Sequence, residues 1–248
     1  MTSAATFRRP RGVLALIVLV EAVAGANERM RHYHTGTLPP YEIGPPSMVK
    51  LTPDDEAKLQ EGQAIMQAMV LNRNDGTRRL LMVKDIKAPV SVITDRLLDY
   101  DAYPRMVKGC DALSTYETGE VSRPGRVPLK VMKAEYRIHA LHMHFTYFMT
   151  HYYDPKIRCM TFHLDYDRRS DLDDSIGYWF LEPTGQEECR AYYSCVTRLR
   201  TWVPGPVYAL LTKVALKQAT IWLDYVSGGS PWQLHCSPVA CRPYASSA

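Results

Sequence analysis

The chain has 248 residues, 46% of them hydrophobic and 23% charged, a globular balance that excludes a disordered, collagen-like or coiled-coil protein. Lys and Arg number 30 against 26 Asp and Glu, a net +4; setting aside the first 26 residues, which hold three arginines and one glutamate, leaves +2, too little for a nucleic-acid-binding protein. Six cysteines are too few for a disulfide scaffold, so apolar burial must hold the core.

Arg8, Arg9 and Arg11, the apolar run Val13 to Val20 and the small residues Ala24-Gly25-Ala26 form the grammar of a signal peptide over residues 1–26. With Glu21 interrupting it, the run is short for the roughly 20 residues of a membrane span. Export is therefore expected, with a signal anchor or an organelle transit peptide as alternatives. Residues 27–77 read as an N-terminal extension: a Pro-rich irregular stretch, then a helix capped by Thr52, opened by Pro53 and carrying Leu59, Ile65, Met66, Met69 and Val70 to a turn at Asn72 to Gly76.

A strand is predicted over Leu80 to Ile86, then a helix from Ala88-Pro89 with Val92, Ile93, Leu97 and Leu98 inward, ended near Pro104. From Cys110 to Leu199 the hydrophobic period is two. Ala134, Tyr136, Ile138 and Ala140 share one face, and so do Met143, Phe145, Tyr147 and Met149. Further strands at 160–166, 176–181 and 191–199, joined by short charged or Pro-containing turns, make an antiparallel meander. A final helix of about 20 residues follows Pro206, with Val207, Leu210, Leu211, Val214, Gln218, Ile221, Trp222 and Tyr225 as its inward stripe. The tail, 227–248, is rich in Pro, Ser and Gly. If any cysteines are joined, Cys236 and Cys241 are the expected pair; Cys110, Cys159, Cys189 and Cys195 read as small buried hydrophobes. The fold class is α+β.

Ile86-Lys87-Ala88-Pro89 with Leu98-Asp99-Tyr100-Asp101-Ala102-Tyr103-Pro104, then Ser170 to Trp179, Tyr192-Tyr193-Ser194 and Trp202-Val203-Pro204-Gly205, resemble the START-like superfamily, which includes polyketide cyclases and coenzyme Q-binding proteins. The resemblance covers residues 78–226. It implies a helix-grip fold, a curved antiparallel sheet wrapped around the C-terminal helix with an internal apolar cavity, and an apolar small-molecule ligand such as a lipid, sterol or quinone.

Sixteen tyrosines, four tryptophans and eleven methionines suit either such a cavity or a filled core. The expected lining is Tyr136, Ile138, Met143, Phe145 and Tyr147 on two strands, with Phe162, Trp179, Leu181 and Tyr193 on three more. Leu210, Leu211, Val214 and Gln218 would face them from the helix. Tyr136 and Tyr193 are the candidate polar handles. His142 and His144, with His139 and His151 nearby, read as solvated rather than as metal ligands. The aspartates from Asp165 to Asp174 read as a charged hairpin loop rather than a calcium site. No nucleotide, hydrolase or metalloprotease motif occurs, so no cofactor is expected. Two classes of function remain: a monomeric carrier of an apolar ligand, making transient contact with membranes, and a cyclase or dehydratase acting on a polyketide-like substrate.

Overall fold

Thr52 caps the first helix as expected. Its hydroxyl accepts the Asp55 N–H at 3.2 Å while the Asp55 carboxylate accepts the Thr52 N–H at 3.0 Å, a capping box with Pro53 in the first turn. In the computed structural model, which describes residues 31–47, 49–71, 77–140, 143–200 and 203–227, this helix, α1, is only Pro53–Gln60. Gly62 adopts a positive φ of 79°, which a side chain would resist. The residues expected to continue the helix instead form strand β1, Ile65–Val70, with Ile65 alone buried.

The remaining elements are β2 (Arg78–Ile86), α2 (Val90–Leu98), a 3₁₀ turn at Tyr100–Ala102, and α3 (Tyr103–Met106). Five long strands follow from there: β3 (Cys110–Arg123), β4 (Arg126–Ala140), β5 (Met143–Asp154), β7 (Leu172–Pro183) and β8 (Cys189–Leu199), with the shorter β6 (Cys159–Leu164) after β5. The last elements among the described residues are α4 (Gly205–Thr220) and α5 (Trp222–Ser227). The expected single C-terminal helix is thus broken at Ile221, and α4 is about 24 Å long. All eight strands form one antiparallel sheet in the order β1-β2-β8-β7-β6-β5-β4-β3. With α4 held in its concave face, this is the helix-grip arrangement.

Both faces of the central strands are buried. On the concave side Leu80, Met82, Trp179 and Leu181 join Ile93 and Leu97 of α2 and Trp222 and Leu223 of α5. On the convex side Leu81, Val83, Tyr178 and Phe180 are covered by Leu59 of α1 and by Tyr41, Ile43, Val49 and Leu51. The segment read as an irregular extension is therefore a strap across the back of the sheet.

Buried aspartates fasten that strap, and the charged-loop reading is corrected accordingly. Asp173 and Asp174 are 3% and 0% exposed and lie at the start of β7. Asp174 accepts hydrogen bonds from Leu38 N–H, Tyr166 O–H and Ser175 N–H. Asp173 accepts from the N–H and hydroxyl of Thr35. His32 donates Nε2–H to the Asp173 carbonyl at 2.8 Å, and its Nδ1 accepts from Ser170 N–H and Arg200. Farther along, Arg190 of β8 clamps Glu56 of α1 and Asp85 of β2, and Lys84 of β2 pairs with Asp224 of α5.

No helix among the described residues is long and apolar enough to cross a membrane. The expected leader, His142, Trp202 and the Cys236/Cys241 pair lie outside the described residues. Cys110, Cys159, Cys189 and Cys195 are buried free thiols.

Candidate functional site: a cavity between sheet and helix

The sheet and α4 do not meet everywhere. Between them lies a cavity of about 220 Å³, walled by β2, β4 to β8 and α4. It reaches the surface beside Lys108, which is exposed. Part of the room comes from small residues: Thr212, Ala215 and Ala219 face it from α4. Gly177 makes room in another way, since a Cβ there would meet the Phe162 ring at 2.2 Å, so the glycine lets that ring lie against the sheet.

Tyr136, Ile138, Phe145, Tyr147, Phe162, Trp179, Tyr193, Leu211 and Gln218 line the cavity where expected. Four expected residues do not. Met143 opens β5 at the end of the strand, away from the lining. Leu181 points inward but is packed with Ile93 and Leu97 of α2, 1% exposed and outside the lining. Leu210 is 51% exposed, and Val214 is half-buried away from the lining. The helix is turned by about one residue from the expected stripe, so Tyr208, Leu211, Thr212 and Ala215 face inward, while Val207 and Tyr225 are exposed.

The sequence reading also missed His151. It follows Phe145, Tyr147 and Met149 in the same alternation, so its strand position already placed it inside; grouping it with the neighbouring histidines hid that. His144 is exposed and His139 half-buried, flanking Asp111. His151 is 3% exposed and lines the cavity. No cluster of three or more metal-ligating side chains occurs among the described residues.

The polar heart of the cavity spans β4 and β5. Tyr136 stands opposite Tyr147, and Met132 opposite His151. His151 Nδ1 is 3.2 Å from the Met132 carbonyl and its Nε2 is 3.0 Å from the Tyr136 hydroxyl. A carbonyl only accepts, so Nδ1 carries the proton and Nε2 is the bare acceptor. Tyr136 therefore donates its O–H to His151. Burial pushes the imidazole down to about 4 and holds the Tyr136 and Tyr147 phenols well above their usual range, so all three are neutral at physiological pH.

No protein-family model and no curated protein matches the sequence. Solved structures similar to it include START-superfamily proteins and polyketide aromatase/cyclases. The Zhui aromatase/cyclase from Streptomyces sp. R1128 is 12% identical over 62% of this chain and 93% of its own, with a TM-score of 0.49. A START superfamily protein from Mycobacterium smegmatis is 15% identical over 62% and 99%, also at 0.49. Human STARD10 is 10% identical over 74% and 82%, at 0.47.

Proposed function

We propose that this chain binds an apolar small molecule in the cavity under α4 and serves as its carrier. The observation that carries this reading is an apolar, aromatic-lined space with few polar groups, the usual composition of a small-molecule site. Its volume is somewhat below the roughly 300 to 1,000 Å³ of sites for drug-sized ligands, so a lipid, sterol or quinone would enter by displacing α4. Purifying the protein from its source, weighing the intact complex by native mass spectrometry and identifying what organic solvent extracts tests it. A stoichiometric apolar compound is expected; an empty protein that binds no apolar probe would overturn the reading.

One observation favours the alternative, a cyclase or dehydratase: an imidazole sits in the lumen, where a proton-transfer group would be needed. Efficient general acid–base catalysis calls for a pKa near the working pH. With His151 down at about 4 and Tyr136 far above neutrality, neither group is so poised, and the carrier reading is preferred. Val207 and Leu210, 42% and 51% exposed, with exposed Lys213 and Lys217 on the same helix, support transient contact with an anionic membrane surface. Arg8 to Ala26 supports export, which a reporter fused after Asn27 tests by entering or failing to enter the secretory route.

A further inference from the structure

The hydrogen-bond assignments inside the cavity specify which functional group a ligand must carry. Five tyrosines line it. Tyr103 donates to the Leu97 carbonyl and Tyr208 to the Thr197 carbonyl, and Tyr193 bonds the Cys195 thiol. Tyr136 spends its proton on His151, which leaves its oxygen able to accept but not to donate. Tyr147 makes no hydrogen bond among the described residues, so its O–H is free to donate. The two rings are cross-strand partners on one face, stacked at 5.1 Å with 7° between their planes. As stacked cross-strand partners, the two side chains project from the same side of the sheet.

We propose that the cavity selects a ligand by a hydroxyl group, an alcohol or phenol on an apolar ring system, whose O–H is donated to the Tyr136 oxygen while its own oxygen accepts from Tyr147. This rests on the carrier reading and narrows it. A ketone or ester would satisfy Tyr147 but present a second acceptor to Tyr136, which has no proton to give it. A carboxylate would meet no cation inside, because Lys108, the one charged residue of the lining, stands exposed at the mouth. An apolar cavity of about 150 Å³ holds a benzene ring, so the volume here matches a bicyclic compound. His151 acts as a positioning residue, setting the direction of the Tyr136 proton.

Calorimetric titration of the full chain with 2-naphthol, naphthalene and 1-tetralone tests the assignment. The wild type should bind 2-naphthol at least about tenfold more tightly than either of the others, the size expected of one well-placed hydrogen bond. In His151→Asn the side-chain amide keeps a donor for the Met132 carbonyl but removes the acceptor at Nε2. The freed Tyr136 O–H should bring 1-tetralone to within about threefold of 2-naphthol. Tyr147→Phe, which removes one oxygen from the lining, should reduce the preference for 2-naphthol over naphthalene. Equal binding of 2-naphthol and 1-tetralone by the wild type, or an unchanged preference in folded His151→Asn, overturns the hydroxyl assignment while leaving the carrier reading intact. If none of the three probes binds, both fall together.

Discussion

Gly109 packs directly against Gln218: a Cβ on the glycine would lie 2.8 Å from the Gln218 amide nitrogen and 2.7 Å from the His139 carbonyl. The contact joins the α3–β3 connection to the C-terminal helix at the mouth of the cavity, and Gly109 has a φ of 83°. Gly109→Ala is expected to cost about 1 to 3 kcal/mol through backbone strain and crowding. Because the added methyl pushes Gln218 aside, ligand should also leave faster. Thermal melting and stopped-flow release of a bound fluorescent probe check the two effects.

Filling the cavity separates an open site from a packed core. Ala215→Trp places an indole where α4 faces the cavity, so it should abolish uptake of apolar probes at little cost to stability. Val214→Trp, one residue along and off the lining, should leave uptake in place. In a tightly packed interior the first change would instead cost about 1 to 3 kcal/mol. Fluorescent-probe titration and urea unfolding of both variants measure the contrast.

Acid should weaken the fold through two histidines held neutral. Protonating His151 would put a charge in an apolar cavity, and protonating His32 at Nδ1 would turn it against two donors, Ser170 N–H and Arg200; burial lowers the pKa of both. In the unfolded chain each takes up a proton near 6.5, so stability present above that value is lost as pH falls. For His151 the loss accumulates between about 6.5 and about 4 and reaches about 3 kcal/mol. Urea unfolding at pH 7 and pH 5 should show it, and His151→Asn should have a shallower dependence than the wild type.

The strap depends on Asp174. Asp174→Ala strands the Leu38 N–H and the Tyr166 hydroxyl in a buried site, an expected loss of about 3 kcal/mol. Limited trypsin digestion should then cut at Lys50, in the strap, well before the wild type is cut there; an unchanged digestion pattern would show that other contacts hold the strap.

The strands were legible because alternation survives burial: Ala134 to Ala140 and Phe145 to Met149 carry their faces in plain sequence. Other parts were hidden for physical reasons. Ile65, Met66, Met69 and Val70 fit a helical spacing as well as a strand, and what separates the two, the turn at Gly62 and the pairing with β2, is not local to their spacing. On α4 the rule that large apolar residues face inward misleads, because a cavity is bounded by what leaves room. Thr212 and Ala215 face it while Leu210 faces solvent. Asp173 and Asp174 looked like a solvated turn, since their partners, Thr35 and Leu38, lie more than 130 residues away in a stretch without periodicity.

Trp179 and Trp222 both line the cavity, with ring centroids 6.2 Å apart, and Trp179 is 4.5 Å from the Tyr193 ring. Occupancy should therefore be visible without a label. A saturated alcohol seated against these indoles would shift the wavelength of the protein's own emission and leave its intensity nearly constant. A quinone at the same distance would extinguish it by accepting an excited-state electron. The colour and brightness of the protein as isolated would thus carry a first optical signature of any ligand seated there.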